Sequence, residues 1–154
     1  IDIVPRFLHQ ALHGGSLVIF GGGGQTRDFV YVDDVVEALV TAATAADVDR
    51  RVINVGVGSE TSVNGLVALV AKVTGQEVDL LHSPAESGGV SRLYADVSVA
   101  RRLLDYEPRV DLAQGLLRLG DLELRLAQGQ LGLGPRCFEP FFGRLQVAPL
   151  LVET

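Results

Sequence analysis

The chain has 154 residues, of which 47% are hydrophobic and 21% charged, so it is long enough to bury one modest core, and wholesale disorder is excluded. Its net charge of −6 disfavours a general nucleic-acid binder, because such proteins present a basic face. The single cysteine, Cys137, excludes an intrachain disulfide and a multi-cysteine metal site, and no apolar run is long enough for a transmembrane helix, so we expect a cytoplasmic protein.

The first elements alternate between helical and extended patterns. Apolar residues on one helical face predict a helix over residues 3–12, which Gly14-Gly15 ends. The apolar run Leu17–Phe20 predicts a buried strand, and the four glycines Gly21–Gly24 predict a loop. A second short strand or extended run is predicted over Phe29–Val32.

The next helix is predicted to begin at two adjacent aspartates. Asp33 or Asp34 is expected to cap it, and Asp34 with Glu37 has the spacing of a capping box. The buried stripe of this helix is predicted to consist of five apolar residues: Val35, Val36, Leu39, Val40 and Ala43.

Strands and helices continue to alternate through the second half, which predicts an α/β fold. The predicted elements are strands over 52–55 and 78–81, a helix from Ser62 to Gly75, one from Asp96 to Leu104, and one from Asp111-Gln114 to about Gln128. Residues 129–154 lack periodicity and contain three of the six prolines. We therefore predict one domain over 1–128 and an irregular or poorly ordered tail over 129–154.

Two glycine-rich segments are candidate phosphate sites. Gly21–Gly24 can cradle phosphate with backbone N–H groups, or it can be a flexible turn, and it is not followed by the Gly-Lys-Ser/Thr of nucleotide hydrolases. Gly56–Thr61 nearly matches the dinucleotide fingerprint, with Asp79 about twenty residues on, but Thr61 occupies the third glycine position. A tight turn into a helix explains the second segment without a ligand.

Catalytic and metal-binding patterns are sparse in this sequence. His9, His13 and His82 have no cysteine or carboxylate at metal-site spacing, so we interpret them as surface residues and predict no metal site. No Tyr-x-x-x-Lys pair is present, and Lys72 is the only lysine. We therefore predict no catalytic residue in this chain and no turnover by the chain alone.

Arg27 is the most notable charge in the sequence. It lies between the glycine loop and an apolar run, where a solvated arginine has little reason to be. It is either a phosphate contact or an ion-pair partner of the adjacent Asp28, which is itself a candidate turn residue.

Five motifs follow one another in a familiar order: Val4–Phe7, Leu17–Gly21, Gln25–Asp34, Asn54–Gly58 and Tyr94–Asp96. Over about residues 1–126 the chain resembles the C-terminal half of extended short-chain dehydrogenases/reductases that act on nucleotide sugars. That group includes enzymes similar to UDP-glucose 4-epimerase, UDP-glucuronate decarboxylases and dTDP-glucose 4,6-dehydratases. The chain begins at Ile1 and contains no methionine, so we expect it to be part of a longer protein.

The resemblance implies a fold and a set of contacts. The fold is the C-terminal substrate-binding portion of an extended Rossmann-type fold that lacks most of the dinucleotide-binding domain. In such enzymes the N-terminal domain binds NAD and supplies the catalytic tyrosine and lysine, and the sugar is transiently oxidised. Arg27 is implied to contact the pyrophosphate of a UDP- or dTDP-sugar, and Val18, Phe20 and Gly21 to lie against the base and ribose. A homodimer is possible in the full-length enzyme.

Two departures from the family pattern weaken the implied site. Glu86–Gly89 stands where the family often has Arg-Pro-Gly-Asp, and Glu86 would repel phosphate. Gly22 replaces a usual aspartate, and Arg92 is a candidate substitute for the missing arginine. Three hypotheses follow: a part of an active enzyme, a truncated domain that binds nucleotide sugar weakly, or an interaction module with open strand edges.

Overall fold

The computed structural model describes residues 3–84 and 90–128 as five helices and five short strands. The helices are α1 (Ile3–Leu12), α2 (Val32–Ala42), α3 (Val63–Thr74), α4 (Ser98–Leu104) and α5 (Leu112–Ala127). The strands are β1 (Leu17–Phe20), β2 (Thr26–Arg27), β3 (Thr61–Ser62), β4 (Leu80–Ser83) and β5 (Arg92–Leu93). The segment Glu86–Gly89 and the predicted tail over 129–154 lie outside the described residues.

The strands form two small sheets. In the first, β1 pairs in parallel with β4, with Leu17 opposite Leu80. In the second, β2 lies in the middle, antiparallel to β3 and parallel to β5. The second sheet places Thr26 opposite Arg92 and Ser62, because all three strands share one register.

Two apolar clusters hold these elements together. The main core joins α1, α3 and α5 to β1, and its fully buried side chains include Phe7, Leu8, Leu66 and Leu116. A smaller cluster joins α2 to α4 and the segment that follows it, around Ala38, Val97, Ala100, Leu104 and Tyr106. In the part of the chain with described structure, no helix is long and apolar enough to cross a membrane.

Local signals in the sequence placed several elements correctly. Helix α1 covers the predicted residues 3–12. The side chain of Ser62 caps α3 by accepting a hydrogen bond from the Gly65 N–H at 3.0 Å, and Gly75 ends the helix in the left-handed conformation. Asp111 and Gln114, which were predicted to open the last helix, form a reciprocal capping box at the start of α5.

The predicted start of α2 was wrong. The helix begins at Val32, and Tyr31 is its N-cap residue without a side-chain capping bond. Phe29–Val32 is therefore not a strand, and the alternative of an extended run holds at Tyr31, whose φ and ψ are −79° and 146°. Asp34 is buried within the first turn instead of capping it. Its carboxylate accepts hydrogen bonds from the backbone N–H groups of Arg109 at 2.9 Å and Val110 at 3.3 Å. Asp34 therefore joins α2 to the segment that precedes α5.

The predicted buried stripe of α2 was also wrong. Val36 is 50% exposed, and Leu39 and Val40 are each 65% exposed, whereas the small Ala38 faces α4. Helix α2 packs through the face that carries Asp34 and Ala38. An apolar stripe is buried only where another element covers it, and the described elements cover the opposite face of this helix.

Two predicted strands differ from the structure. Residues 52–55 do not form a strand, because no strand within the described ranges pairs with this segment, and Val52 is 88% exposed. The strand predicted over 78–81 is observed at Leu80–Ser83, where it follows the register of β1.

Candidate functional site

Three of the five predicted site residues lie on β1 or at its end. Val18 is partly buried, Phe20 is 41% exposed, and Gly21 follows the strand with a φ of +66°. The Gly21 N–H donates to the Ser83 carbonyl at 3.1 Å, which extends the contact with β4. The amide of Gln25 donates to the Phe20 carbonyl at 3.2 Å and so links the end of β1 to the start of β2.

The glycine loop is fixed by one asparagine at the start of α3. The Asn64 N–H donates to the Gly23 carbonyl at 3.0 Å, and its side-chain amide donates to the Gly22 carbonyl at 3.0 Å. A Cβ on Gly23 would lie 2.1 Å from Oδ1 of Asn64, and Gly23 has a φ of +68°, so this position requires glycine. These contacts support the turn interpretation, with a turn that is anchored rather than flexible.

Arg27 lies on the central strand of the second sheet and is partly buried. Its Nη1 donates hydrogen bonds to the carbonyl oxygens of Thr26 at 2.7 Å and Val90 at 3.0 Å. Two backbone acceptors on one nitrogen orient the planar guanidinium. Within residues 3–84 and 90–128, no carboxylate is within ion-pair distance of Arg27.

Arg92 is in a different electrostatic situation, because Glu60 binds it in a fork. Nε and Nη2 of Arg92 donate to the two oxygens of Glu60 at 3.0 and 2.6 Å, and the hydroxyl of Thr26 donates to Glu60 at 2.6 Å. The bond from Arg92, helped by that from Thr26, lowers the pKa of Glu60 from 4.5 to about 2. The same pair raises the pKa of Arg92.

The two arginines lie on opposite faces of the second sheet. Arg92 is directly opposite Thr26, whereas Arg27 is opposite Leu93. Since directly opposed residues share a face and successive residues alternate, Arg27 and Arg92 point to different sides. The structure therefore does not bring the two predicted phosphate contacts together.

We expect the Glu60–Arg92 pair to give a measurable acid transition. Glu60 has a folded-state pKa below its ordinary value, so its stabilising contribution is present above about pH 4.5 and is lost as the pH falls towards 2. Arg92→Ala should move the pKa of Glu60 back towards 4.5, because it removes the largest cause of the shift. An NMR titration of the Glu60 carboxyl carbon measures this, with Arg101→Ala as the control. An unchanged midpoint in Arg92→Ala would contradict the assignment.

Asp28 holds three backbone segments together and is called the clamp below. The sequence had left its role open between an ion-pair partner of Arg27 and a turn residue. Its carboxylate accepts hydrogen bonds from the N–H groups of Val57 at 2.9 Å, Gly58 at 2.9 Å and Ala95 at 3.2 Å. The hydroxyl of Tyr106 donates to the Gly56 carbonyl at 3.0 Å on the same turn. Asp28 therefore joins three segments that are far apart in sequence, and it is not an ion-pair partner of Arg27.

An open pocket of about 350 Å³ lies next to this clamp. Asp28, Asn54, Gly56, Leu93 and Asp96 are among the residues that line it. None of the five predicted site residues lines this pocket, although Leu93 is the strand neighbour of Arg27. The pocket is therefore lined by other residues than the candidate nucleotide surface, which consists of Val18, Phe20, Gly21, Arg27 and Arg92.

Comparisons with known proteins agree with the fold and the motifs. The NAD dependent epimerase/dehydratase family matches residues 2–56. The UDP-glucose 4-epimerase of Mycolicibacterium smegmatis is 38% identical over 116 residues, which cover 75% of this chain and 37% of the relative. The crystal structure of the Thermotoga maritima UDP-glucose 4-epimerase with UDP-glucose has a TM-score of 0.77 at 34% identity, covering 82% of this chain and 40% of that one. This chain belongs to the NAD-dependent epimerase/dehydratase family.

The family assignment confirms the α/β prediction and the likeness to Rossmann-type epimerases. A further structural neighbour is the UDP-glucuronic acid 4-epimerase of Bacillus cereus in complex with NAD, with a TM-score of 0.73 at 32% identity. The match covers 83% of this chain and 40% of that one. The chain spans about 37% of the length of the curated relatives it matches.

The turn that resembles a dinucleotide fingerprint does not fit the NAD of this family. In a dinucleotide site the free N–H groups of such a turn hold pyrophosphate. Here the Val57 and Gly58 N–H groups donate to the Asp28 carboxylate, which occupies the position an anion would need. The structure therefore supports the interpretation of a tight turn without a ligand.

Sequence reasoning missed Glu60 and the Val90 carbonyl. Glu60 is 32 residues from Arg92, and Val90 is 63 residues from Arg27, so neither pairing has a local signal. Only the strand pairing of β2 with β3 and β5 brings these groups together.

Proposed function

We propose that this chain forms the nucleotide-sugar-binding side of an NAD-dependent nucleotide-sugar epimerase or dehydratase. The observation that supports this proposal is the environment of the Arg27 guanidinium, namely its burial and its hydrogen-bond and ion-pair partners. It is a partly buried arginine, oriented by two backbone carbonyls, that pairs with no carboxylate in the described ranges. Such a cation favours an anionic ligand, and a guanidinium fork matches phosphate oxygens in geometry and charge.

The geometry suggests a different ligand contact for each group of predicted residues. Nη1 of Arg27 donates to the carbonyl oxygens of Thr26 and Val90, and these bonds fix the plane of the guanidinium. The N–H groups on its other nitrogens are then held in place for a phosphate. We assign the end of β1, with Val18, Phe20 and Gly21, to the base and ribose, and the exposed ring of Phe20 offers an apolar surface there. Arg92 is the less favoured phosphate contact because Glu60 already neutralises it.

The chemistry itself belongs to other residues of the complete enzyme. The family reaction uses NAD for transient hydride removal from the sugar, and the present chain contains no Tyr-x-x-x-Lys pair to move the proton. The neighbours that carry UDP-glucose or NAD in their crystal structures support a UDP-sugar as ligand and NAD as the cofactor of the whole enzyme. Arg27 would bind and orient the pyrophosphate there and take no part in proton transfer.

We expect Arg27→Ala to weaken UDP-glucose binding by about 10- to 100-fold, since a hydrogen bond to a charged group contributes about 1.5–3 kcal/mol. Arg27→Lys should lie between parent and alanine, because it keeps the charge and loses the fork. Isothermal titration calorimetry with UDP-glucose and UDP measures these affinities. Arg102→Ala, on the exposed surface of α4, is the matched control and should bind like the parent.

Two outcomes of this titration would contradict the proposal. If the parent chain binds neither nucleotide, the surface around Arg27 is not a site in this chain. If Arg27→Ala and Arg102→Ala bind equally well, the ligand contacts another part of the molecule.

A further inference from the structure

Two histidines lie one helical turn apart at the end of α1. The ring centroids of His9 and His13 are 4.3 Å apart. Nδ1 of His13 is 2.9 Å from the carbonyl oxygen of His9. A carbonyl oxygen only accepts, so this Nδ1 carries the proton and Nε2 of His13 presents a lone pair. A hydrogen bond of this kind on one ring nitrogen is what orients metal-binding imidazoles.

A buried carboxylate from α5 faces this pair. Glu123 is 6% exposed, contacts Nδ1 of His9, and has an oxygen 3.8 Å from Nδ1 of His13. Among the residues described, its ion-pair partners are these two histidines, and neither is charged unless it is protonated. Burying a charged carboxylate away from water costs free energy unless a positive charge lies beside it, and a divalent cation is one source of that charge.

We propose that His9, His13 and Glu123 form a zinc site that links α1 to α5. One donor atom from each residue lies within 4.8 Å of the others. Donors around a tetrahedral zinc are roughly 3.3 Å apart, given zinc–ligand bonds of about 2.0–2.1 Å. The side chains of His9 and His13 are 44% and 47% exposed, so solvent beside both rings lets them reorient until their donor atoms reach that spacing.

The donor set selects zinc over the alkaline-earth ions. Two imidazoles and one carboxylate suit zinc, whereas magnesium and calcium prefer oxygen donors. Three protein ligands leave a fourth position for water. Because α1 and α5 contribute Phe7 and Leu116 to the same core, the ion would tie two packed helices together and stabilise the fold.

The proposed site differs from the prediction of no metal site, which rested on the lack of a cysteine or carboxylate at metal-site spacing from His9 and His13. The carboxylate is present, but Glu123 is 114 residues from His9 in sequence. The spacing of four residues between the two histidines was the local signal, since it places both rings on one face of a helix.

The test is calorimetric titration of the tag-free, full chain with zinc alone, in a Cys137→Ser background that removes the only thiol. The parent should bind one zinc per chain and should not respond to magnesium. His13→Ala keeps the contact between His9 and Glu123 and should weaken zinc binding by at least about tenfold, since even the loss of an outer partner costs 10–100-fold. Glu123→Gln, which keeps the side-chain shape, should weaken it similarly.

His82→Ala is the matched control, because it removes a histidine of β4 outside the cluster and should bind zinc like the parent. Zinc should also raise the Tm of the parent and of His82→Ala, and fail to raise that of His13→Ala. No binding by the parent, or equal affinity in the parent, His13→Ala and Glu123→Gln, would overturn the proposal. The nucleotide titration is independent of this result, since neither uses a residue of the other.

Discussion

Replacing Asp34 by alanine is expected to lower the free energy of unfolding by about 3 kcal/mol, because it leaves buried backbone donors without an acceptor. Asp34 is only 2% exposed, and its carboxylate accepts hydrogen bonds from the backbone N–H groups of Arg109 and Val110. The Val110 contact is buried and the Arg109 contact partly buried, so water cannot fully replace the lost acceptor. A carboxylate in the first turn of α2 is also favoured by the helix dipole.

The adjacent aspartate provides the control for this effect. Asp33 is in the same turn, but its side chain is 68% exposed and 3.4 Å from Nη1 of Arg118. Asp33→Ala should therefore cost no more than about 1 kcal/mol, as exposed ion pairs do. Asp34→Asn keeps one acceptor oxygen and should lie between the two. Urea unfolding measures all three, and equal midpoints for Asp33→Ala and Asp34→Ala would refute the structural role of Asp34.

A methyl group at Gly56 is expected to destabilise the protein by about 2–3 kcal/mol, in the range of overpacking in a filled site. A Cβ there would lie 2.6 Å from Oδ2 of Asp28 and 2.8 Å from Cβ of Ala95. Neither neighbour can withdraw easily, because Asp28 is held by three backbone N–H groups, including that of Ala95. Gly56→Ala must therefore displace the clamp that joins β2 to the two segments beside it.

Gly22→Ala is the control for the glycine substitution. Gly22 is exposed, and an added Cβ would have nothing within 4 Å, so its effect should stay below about 0.5 kcal/mol. Urea unfolding gives the stabilities, and the amide NMR signals of Val57, Gly58 and Ala95 report on the clamp. Unmoved signals at these three amides in Gly56→Ala would show that the turn tolerates the methyl group.

Elements with local signals could be predicted from the sequence. The helix over residues 3–12 follows from apolar periodicity, and α3 and α5 begin at side chains that bond to N–H groups three residues away. Those interactions are contained in a few consecutive residues. A sequence therefore specifies them without knowledge of the rest of the fold.

Burial in α2 could not be predicted, since it depends on neighbours. Val35 and Val36 have the pattern of a core-facing stripe, yet the helix buries Asp34 and Ala38 instead. The deciding partners of Asp34 are 75 and 76 residues away. For the same reason residues 52–55 have strand composition but no strand, because a strand needs another strand beside it.

The candidate site likewise has features that the sequence shows and features that depend on tertiary structure. Arg27 stood out because its charge lies between a glycine loop and an apolar run, which is a local feature. The competition between phosphate and Glu60 for Arg92 was not visible, since it results from the pairing of β2 with β5 and from the position of Glu60 just before β3. The sequence thus identified both arginines. The tertiary structure showed that Glu60 neutralises Arg92, whereas Arg27 has no ion-pair partner among residues 3–84 and 90–128.

An NMR titration of the isotope-labelled chain with UDP-glucose would locate the nucleotide-sugar site residue by residue. We expect the largest amide shifts on Arg27 and on Val18, Phe20 and Gly21. Arg27→Ala should remove these shifts, and Arg102→Ala should leave them unchanged. Shifts centred on the pocket around Asp28, Asn54 and Asp96 and unaffected by Arg27→Ala would contradict this expectation.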